Sequence, residues 1–241
     1  MIRLFLSPEE LTSQEIVIHG ENAHYISSVL RVQTGDMLTI FDGQGNRYIC
    51  MINKIHKKEV IVEKIKKEAY SAESPILIAL AQGIPKGDKM DFIVQKSTEI
   101  GVKKIIPLIT ERSQVKHTFR SERWRKIALS ASQQSSREKI PEVEELVTFK
   151  DFLNEKYIEN ENIANVIPAK AGIQKRNLDS PVKPENDESA NKTFLEKPYL
   201  KIIFSEEQKE QNLKKILNSF KDTKNITLLI GPEGGFSDTE T

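Results

Sequence analysis

The first 70 residues alternate between apolar and polar positions in short stretches separated by turn residues. A period of two is typical of strands that bury one face. It predicts strands at residues 16–18, 37–41, 47–55 and 59–65. After the first of these, Ala23, Ile26, Val29 and Leu30 recur at helical spacing and predict a helix over residues 22–32. We expect such a meander to close into a small β-barrel, an architecture often used for binding.

The pattern changes after an aperiodic linker at residues 70–75. Short apolar runs, at residues 75–81, 103–110, 142–147, 199–204 and 226–230, predict strands. Amphipathic stretches, at residues 88–100, 121–136, 149–156 and 206–220, predict helices. Alternating strands and helices predict an α/β domain with a mainly parallel sheet. We therefore expect two domains, at residues 1–70 and 75–241.

Residues 160–198 interrupt this alternation. They contain four prolines and are rich in Asn, Lys, Asp and Glu, a composition that favours a disordered insertion. The alternative is a binding arm.

The apolar run 226–230 leads directly into Gly231-Pro232-Glu233-Gly234-Gly235. Glycines allow positive φ angles and a close approach of backbone N–H groups to a ligand, so we expect a ligand loop at the carboxyl end of a buried strand. Gly234 and Gly235 are expected at positive φ or against the ligand. The loop lacks the lysine and hydroxyl residue of a GxxxxGK[ST] phosphate loop and does not match GxGxxG, which argues against a nucleoside triphosphate or dinucleotide.

Composition narrows the function further. The single Cys50 and four scattered histidines do not provide metal-ligand spacing, so we expect no metal. No apolar run approaches the roughly 20 residues of a spanning helix, and the first residues lack signal-peptide features. We expect a cytoplasmic protein with no membrane partner.

Charge is unevenly distributed along the chain. The net charge is +1, yet residues 103–139 contain ten Lys or Arg against three Glu, a local charge of +7. We call these residues the basic segment. Five of its cations are arginines, namely Arg112, Arg120, Arg123, Arg125 and Arg137. Arginine forks suit phosphates, so the segment predicts a polyanion site, the alternative being a solvated helix face.

Three motifs resemble one family. Residues 82–91 (QGIPKGDKMD), continuing through 95–102 (QKSTEIGV) to 110–113 (TERS), are similar to the ribosomal RNA small subunit methyltransferase E family. So are the glycine-rich residues 231–235 and the run from His24 to Arg31, which resembles the family's H-x-x-x-V-L-R element.

The resemblance implies a PUA-like barrel followed by a SPOUT-type α/β-knot domain. It implies a homodimeric enzyme that transfers a methyl group from S-adenosylmethionine to N3 of a uridine in 16S ribosomal RNA, without a metal. Phe204, Ser205 and residues 231–235 would line the cofactor crevice, with Ile203 beside them. His24, Arg31, Arg112 and Arg137 would face RNA, in addition to Arg120, Arg123 and Arg125 of the basic segment. The alternatives are surface salt bridges for Arg112 and Arg137 and barrel packing for His24. No catalytic base is identified.

The sequence departs from the family pattern after residue 237, where the family has a helix, an L-G-x-R-I-L-R-x-E-T-A element and a final helix. We therefore expect a C-terminally incomplete chain. Two hypotheses follow: a methyltransferase, which the motifs favour, or a non-catalytic RNA-binding remnant. Cofactor binding distinguishes them.

Overall fold

The computed structural model describes residues 2–68, 73–113, 120–153, 166–167, 199–204, 213–237 and 239–240. Contacts between residues divide the chain into two units. The first unit comprises Met1–Glu73, Thr98–Gly101 and Lys126–Pro141, and the second comprises Ser74–Ser97, Val102–Arg125 and Glu142–Thr241. This grouping differs from the division predicted from sequence, because two segments from beyond residue 75 make their contacts within the first unit.

The first unit contains a five-stranded sheet. Its strands are β1 (Ile2–Phe5), β2 (Glu15–His19), β3 (Met37–Phe41), β4 (Arg47–Ile55) and β5 (Glu59–Glu68). Their order is β1-β3-β4-β5-β2, with β1 parallel to β3 and the other pairs antiparallel. The four strands expected from alternation are present. The sequence prediction missed β1, since four residues are too few to show a clear period of two.

A short helix follows β2. Helix α1 (Gly20–His24) continues into a π-helical turn at Tyr25–Val29. The predicted helix over residues 22–32 therefore begins earlier and ends earlier. Arg31 has a φ of 53°, in the left-handed region that a continuing right-handed helix does not allow.

The core of the first unit lies on one face of its sheet. In β2 the exposed and buried residues alternate, with Ile16 and Ile18 buried. Cys50, Ile52, Val60 and other apolar side chains of β4 and β5 join the same cluster. This alternation is the pattern that one buried face of a pleated strand requires.

Residues 126–141 are joined to this sheet through the buried Glu138. Its carboxylate is fully buried and lies 3.1 Å from Arg47 Nη1 and 3.9 Å from Arg3 Nη1. Nearby, the Ile140 N–H donates to the Gly43 carbonyl at 3.0 Å. A buried carboxylate needs such partners, because transfer of a lone charge out of water is costly.

The second unit contains a parallel sheet with helices between its strands. Its elements are β6 (Leu77–Gly83), α2 (Lys89–Glu99), β7 (Lys104–Ile109), α3 (Ser121–Gln134), β8 (Glu142–Val143), β9 (Val147–Thr148), α4 (Phe149–Leu153), β10 (Val166–Ile167), β11 (Tyr199–Phe204), α5 (Leu213–Ser219) and β12 (Asn225–Ile230). The end of α2 and most of α3 belong to the first unit. The strand order is β10-β11-β12-β6-β7-β8, and β9 also pairs with β7. All pairs are parallel, as the βα alternation predicts.

Two sequence predictions for this unit differ from the structure. The strand expected at residues 142–147 is two short strands, β8 and β9. Within the segment predicted as a disordered insertion, Val166–Ile167 pairs with Lys201 and Ile202 of β11, so these two residues are an exception. The rest of residues 160–198 lies outside the described residues.

Replacing Glu138 with alanine is expected to lower the free energy of unfolding by about 3–5 kcal/mol, because Arg3 and Arg47 lose a carboxylate that lies between them inside the fold. Urea denaturation followed by circular dichroism measures this. The control is Glu145→Ala, which removes an exposed ion pair with Arg125 and should leave the free energy of unfolding close to that of the parent chain. Equal losses in the two variants would contradict the assignment of Glu138 as a buried anchor.

Candidate functional site

Four neighbouring strands of the second unit, β11, β12, β6 and β7, end at the same edge of the sheet. Three segments leave this edge: the glycine loop (residues 231–237) after β12, residues 84–88 after β6, and residues 110–113 after β7. In parallel α/β sheets, ligands bind outside the carboxyl ends of the strands. This edge is the candidate site.

The glycine loop and the end of β6 touch through their backbones. An ideal Cβ on Gly83 would lie 2.7 Å from both Cδ and N of Pro232. An ideal Cβ on Gly231 would lie 3.0 Å from the carbonyl carbon of Gly235. Neither Gly83 nor Gly231 has a positive φ, so the absence of a side chain, rather than backbone conformation, explains why glycine stands there.

Gln82 joins the same two chain segments. Its side chain is buried, and Nε2 lies 2.9 Å from the Gly83 carbonyl, 3.2 Å from the Gly231 carbonyl and 3.4 Å from the Ile230 carbonyl. A single amide group therefore bridges the ends of β6 and β12. A buried amide without such acceptors would destabilise the fold.

Glu233 connects the glycine loop to the beginning of α2. Its carboxylate accepts hydrogen bonds from the Lys86 N–H, at 3.2 and 3.1 Å, and from Lys89 Nζ at 2.6 Å. The bond from Lys89 and the backbone N–H groups lower the pKa of Glu233 to about 2. A lowered pKa favours the folded state above the usual glutamate pKa, and this contribution is lost as the pH falls towards 2. The contact is therefore complete at neutral pH.

The turn after β7 is bound to the other side of the glycine loop. Arg112 Nη1 donates to the Gly234 carbonyl at 2.8 Å. The Glu240 carboxylate accepts from the Glu111 N–H at 2.8 Å and from the Ser237 N–H at 3.0 Å. The bond from the Ser237 N–H to the side chain three residues later has the geometry of half a capping box.

The predicted cofactor residues gather at this edge, with exceptions. Phe204 is 40% exposed and pairs in register with Ile230, directly before Gly231. Pro232 is buried against Gly83. Gly235 has a φ of 67°, as expected. Ser205 lies outside the described residues.

Gly234 does not have a positive φ, so the other expectation for it, a position against the ligand, stays a prediction. An ideal Cβ on Gly234 would make only ordinary contacts, at 3.6 Å, with Arg112. The positions that have no room for a Cβ atom are Gly83 and Gly231. Glu233 uses its carboxylate on Lys86 and Lys89, so it holds the loop in place.

A separate cavity of about 550 Å³ opens at the ends of β7 and β9. It is lined by Ile109, Thr110, Glu111, Thr148, Phe149, Lys150, Leu153, Thr239 and Glu240. None of the predicted cofactor residues is in this lining.

Three arginines of the basic segment, of which Arg120 and Arg123 are exposed and Arg125 is half-buried, are paired within the second unit. Arg120 pairs with Asp88, Arg123 with Asp91, and Arg125 with Glu122 and Glu145. Exposed ion pairs contribute little stability, so these side chains can exchange a carboxylate for a phosphate at low cost. Their role in RNA binding stays a prediction.

Arg137 does not face solvent. Its side chain is 7% exposed, and its guanidinium pairs with Glu73 at 2.9 Å and donates to the Thr98 carbonyl at 2.9 Å. Burial lowers the pKa of Arg137, while the neighbouring Glu138 acts in the opposite direction. The prediction that Arg137 faces RNA is therefore corrected to a buried ion pair within the first unit.

His24 and Arg31 are both exposed at the helical turn of the first unit. Tyr25 and Val29 of the same turn are also exposed, at 45% and 60%. The imidazole and the guanidinium are thus accessible to a ligand, and their assignment to RNA stays a prediction.

Two general findings concern the described part of the chain. Its His, Cys, Asp and Glu side chains do not form any cluster of three or more that could hold a metal ion. It also has no helix that combines the length and the apolar character needed to cross a membrane.

Comparison with known families identifies the class. A model of the RNA methyltransferase domain matches residues 72–188 and 175–241, and a model of the RNA methyltransferase PUA domain matches residues 18–65. The fold is therefore that of an RNA methyltransferase domain preceded by a PUA-like domain, which confirms the predicted fold class.

Individual relatives specify the family. The chain is 37% identical over 146 residues to Ribosomal RNA small subunit methyltransferase E of Buchnera aphidicola subsp. Acyrthosiphon pisum, covering 58% of each chain. It is 36% identical over 155 residues to the Bacillus subtilis protein of the same name, covering 60% of each chain. These matches span less than two thirds of both relatives. The crystal structure of the Neisseria gonorrhoeae protein of that name, bound to S-adenosyl methionine, matches with a TM-score of 0.72 and 26% identity over 100% of this chain and 83% of that chain. The chain belongs to the ribosomal RNA small subunit methyltransferase E family.

Sequence reasoning missed the side chains that hold the glycine loop. Gln82, Lys89 and Glu240 make contacts to distant segments that periodicity cannot indicate. Gln82 had one available signal, since a polar residue at the end of an apolar strand needs a hydrogen-bond partner if it is buried.

Gly83→Ala is expected to destabilise the chain by about 1–3 kcal/mol, because the new methyl group would overlap Pro232. Thermal unfolding measures this. Gly234→Ala is the matched control, since a Cβ there makes only ordinary contacts and the position has no positive φ, and its melting temperature should stay close to that of the parent chain. Similar melting temperatures for Gly83→Ala and Gly234→Ala would contradict the close backbone contact.

Proposed function

We propose that this chain transfers the methyl group of S-adenosylmethionine to N3 of a uridine in 16S ribosomal RNA of the small subunit. The observation that carries the proposal is the glycine loop, fixed at the carboxyl ends of parallel strands beside the exposed ring of Phe204. Family membership and the S-adenosyl methionine bound to the Neisseria gonorrhoeae protein support it.

The residues at this edge fit a nucleoside cofactor. The Gly231 and Gly234 carbonyls and the Gly235 N–H already have partners within the chain. Gly234 is nevertheless exposed and Gly231 and Gly235 are half-buried, so a ligand can contact this stretch of backbone. Phe204 offers an aromatic face beside them. Small-molecule sites usually combine apolar walls with a few polar groups of this kind.

The reaction depends more on the alignment of the methyl donor with N3 of the uridine than on reactive side chains. The bound cofactor would supply an electrophilic methyl group on a sulfonium. N3 of uridine gives up its imide proton, its electron pair forms the N–CH₃ bond, and the S–CH₃ bond breaks to leave S-adenosylhomocysteine. The fixed glycine loop would hold the reacting atoms in line, which can supply a large part of the rate. The residue that takes the proton is not assigned.

The RNA would be bound by cations from both units. His24 and Arg31 are accessible in the first unit. In the second unit Arg112, Arg120 and Arg123 are exposed and Arg125 is half-buried. We further propose a homodimer working in the cytoplasm, where ribosomal RNA is modified. The alternative function is a non-catalytic RNA-binding protein, which would bind RNA without binding the cofactor.

The chain is expected to bind S-adenosylmethionine with micromolar affinity in isothermal titration calorimetry. Gly231→Ala should weaken binding at least about tenfold, because its Cβ would push residues 235 and 236 out of position. Gly20→Ala, in the first unit, is the control: it also adds a Cβ to a glycine but should leave cofactor affinity unchanged. RNA binding in the absence of any cofactor binding would support the alternative function.

Neutralising Arg120, Arg123 and Arg125 together should weaken RNA binding and flatten its salt dependence. Each phosphate contact that is lost removes roughly 0.7–0.9 from the slope of log affinity against log salt concentration. Fluorescence anisotropy at several salt concentrations measures the slope. The control, Lys58→Ala, lies in a turn of the first unit away from the basic segment. An unchanged slope in the triple variant would show that these arginines remain with their carboxylates.

A further inference from the structure

Arg112 differs from the other arginines of the basic segment in its partners. The others form ion pairs with carboxylates: Arg120 with Asp88, Arg123 with Asp91, Arg125 with Glu122 and Glu145, and Arg137 with Glu73. Among the residues that the structure describes, Arg112 has no carboxylate partner, and its guanidinium donates to the Gly234 carbonyl. Its charge is the one in this set that no described carboxylate balances.

The carboxylates nearest in the chain and in the loop are directed elsewhere. Glu233 accepts from Lys86 and Lys89. Glu240 accepts from the Ser237 and Glu111 N–H groups, and the Glu111 carboxylate accepts from the Thr239 hydroxyl at 2.8 Å. Each of these carboxylates accepts from other donors, and Arg112 forms no ion pair within the described residues.

The side chain of Arg112 lies along the glycine loop. Its Cβ and Cδ are both 3.6 Å from the position that a Cβ of Gly234 would occupy, and Nη1 is 2.8 Å from the Gly234 carbonyl oxygen. A guanidinium has five N–H donors in a rigid fork. One edge of the exposed Arg112 fork holds the loop, and the remaining donors suit the oxygens of a phosphate.

We propose that Arg112 is a positioning residue that couples RNA binding to cofactor binding, by holding the Gly234 carbonyl and an RNA phosphate with the same guanidinium. The inference rests on the proposed function, since it needs a cofactor at the glycine loop and an RNA substrate. It adds that the two ligands bind cooperatively and assigns the cooperativity to one side chain.

The coupling has a physical cause in side-chain ordering. An exposed arginine loses rotamer entropy when its guanidinium is fixed. A phosphate that fixes the Arg112 fork strengthens its bond to the Gly234 carbonyl, so the loop is already ordered when the cofactor arrives. The loss of side-chain entropy therefore accompanies binding of the first ligand and is not repeated when the second binds. This gives positive cooperativity without a large structural change.

The test measures the affinity of the full chain for S-adenosylmethionine with and without a saturating synthetic uridine-containing RNA hairpin. We expect the RNA to strengthen cofactor binding about fivefold or more, and saturating cofactor to strengthen RNA binding by the same factor. The coupling is expressed as the ratio of cofactor affinity with RNA to cofactor affinity without RNA. In Arg112→Ala this ratio should fall to about one, and the salt slope of RNA binding should fall by roughly 0.7–0.9.

Arg112→Lys separates coupling from charge. A lysine keeps the phosphate contact as a point charge but lacks the planar fork that serves two acceptors, so the salt slope should be kept while the ratio falls to about one. Arg123→Ala is the matched control: it removes another arginine of the basic segment, which pairs with Asp91 and has no contact with the glycine loop in the described residues, and its ratio should equal that of the parent chain. A residue that only stabilised the fold would change cofactor affinity equally with and without RNA and would leave the ratio unchanged.

The outcomes separate the inference from the proposed function. If the parent chain binds no S-adenosylmethionine, the proposed function fails and the inference fails with it. If the cofactor binds but the ratio is about one in the parent chain, or is unchanged in Arg112→Ala and Arg112→Lys, the coupling by Arg112 is overturned while the proposed function stands.

Discussion

The close backbone contact between Gly83 and Gly231–Pro232 sets the geometry of the candidate site. Strands β6 and β12 pair up to Gln82 and Ile230, and the next residue of each chain has no side chain to keep the two apart. The glycine loop can therefore turn directly over the end of β6. This turn brings Glu233 to the Lys86 N–H. A displacement of the glycine loop away from β6 would break these contacts at the same time, because all of them depend on the distance between the loop and the end of β6.

The loop is then held by several modest interactions. The Gln82 amide, the Glu233 and Glu240 carboxylates and the Arg112 guanidinium each bond to backbone atoms or to a neighbouring lysine. A single such bond contributes about 0.5–1.5 kcal/mol net, or somewhat more when one partner is charged. Together they stabilise one position of the loop, because they hold the same few residues from the β6 side and from the β7 side. A loop fixed before the ligand arrives avoids the entropy cost of ordering it on binding.

Local patterns predicted the elements of this chain well, and they did not predict its side-chain partners. Alternation and apolar runs indicated the strands of both sheets, and the glycines marked the loop, because these signals depend on near neighbours in sequence. Arg137 shows the limit. As one of five arginines in a basic segment it had the appearance of a surface cation, but it is buried beside Glu73, 64 residues away in sequence. No local signal records that pairing. Gly234 and Gly83 differ for the same reason, since the space around each depends on a distant segment.

The same distinction changes the meaning of the basic segment. A local charge of +7 counts residues, whereas a polyanion responds to charge that is not already balanced. Arg120, Arg123 and Arg125 each face a carboxylate that a phosphate would have to displace, and the buried pair of Arg137 is out of reach. Among the arginines of the basic segment, Arg112 is therefore the one without an ion pair to a carboxylate in the described part of the chain. Arg112 also bonds to Gly234, so its guanidinium lies against the loop that we propose holds the methyl donor. A phosphate drawn to this charge would thus be placed beside the reacting groups.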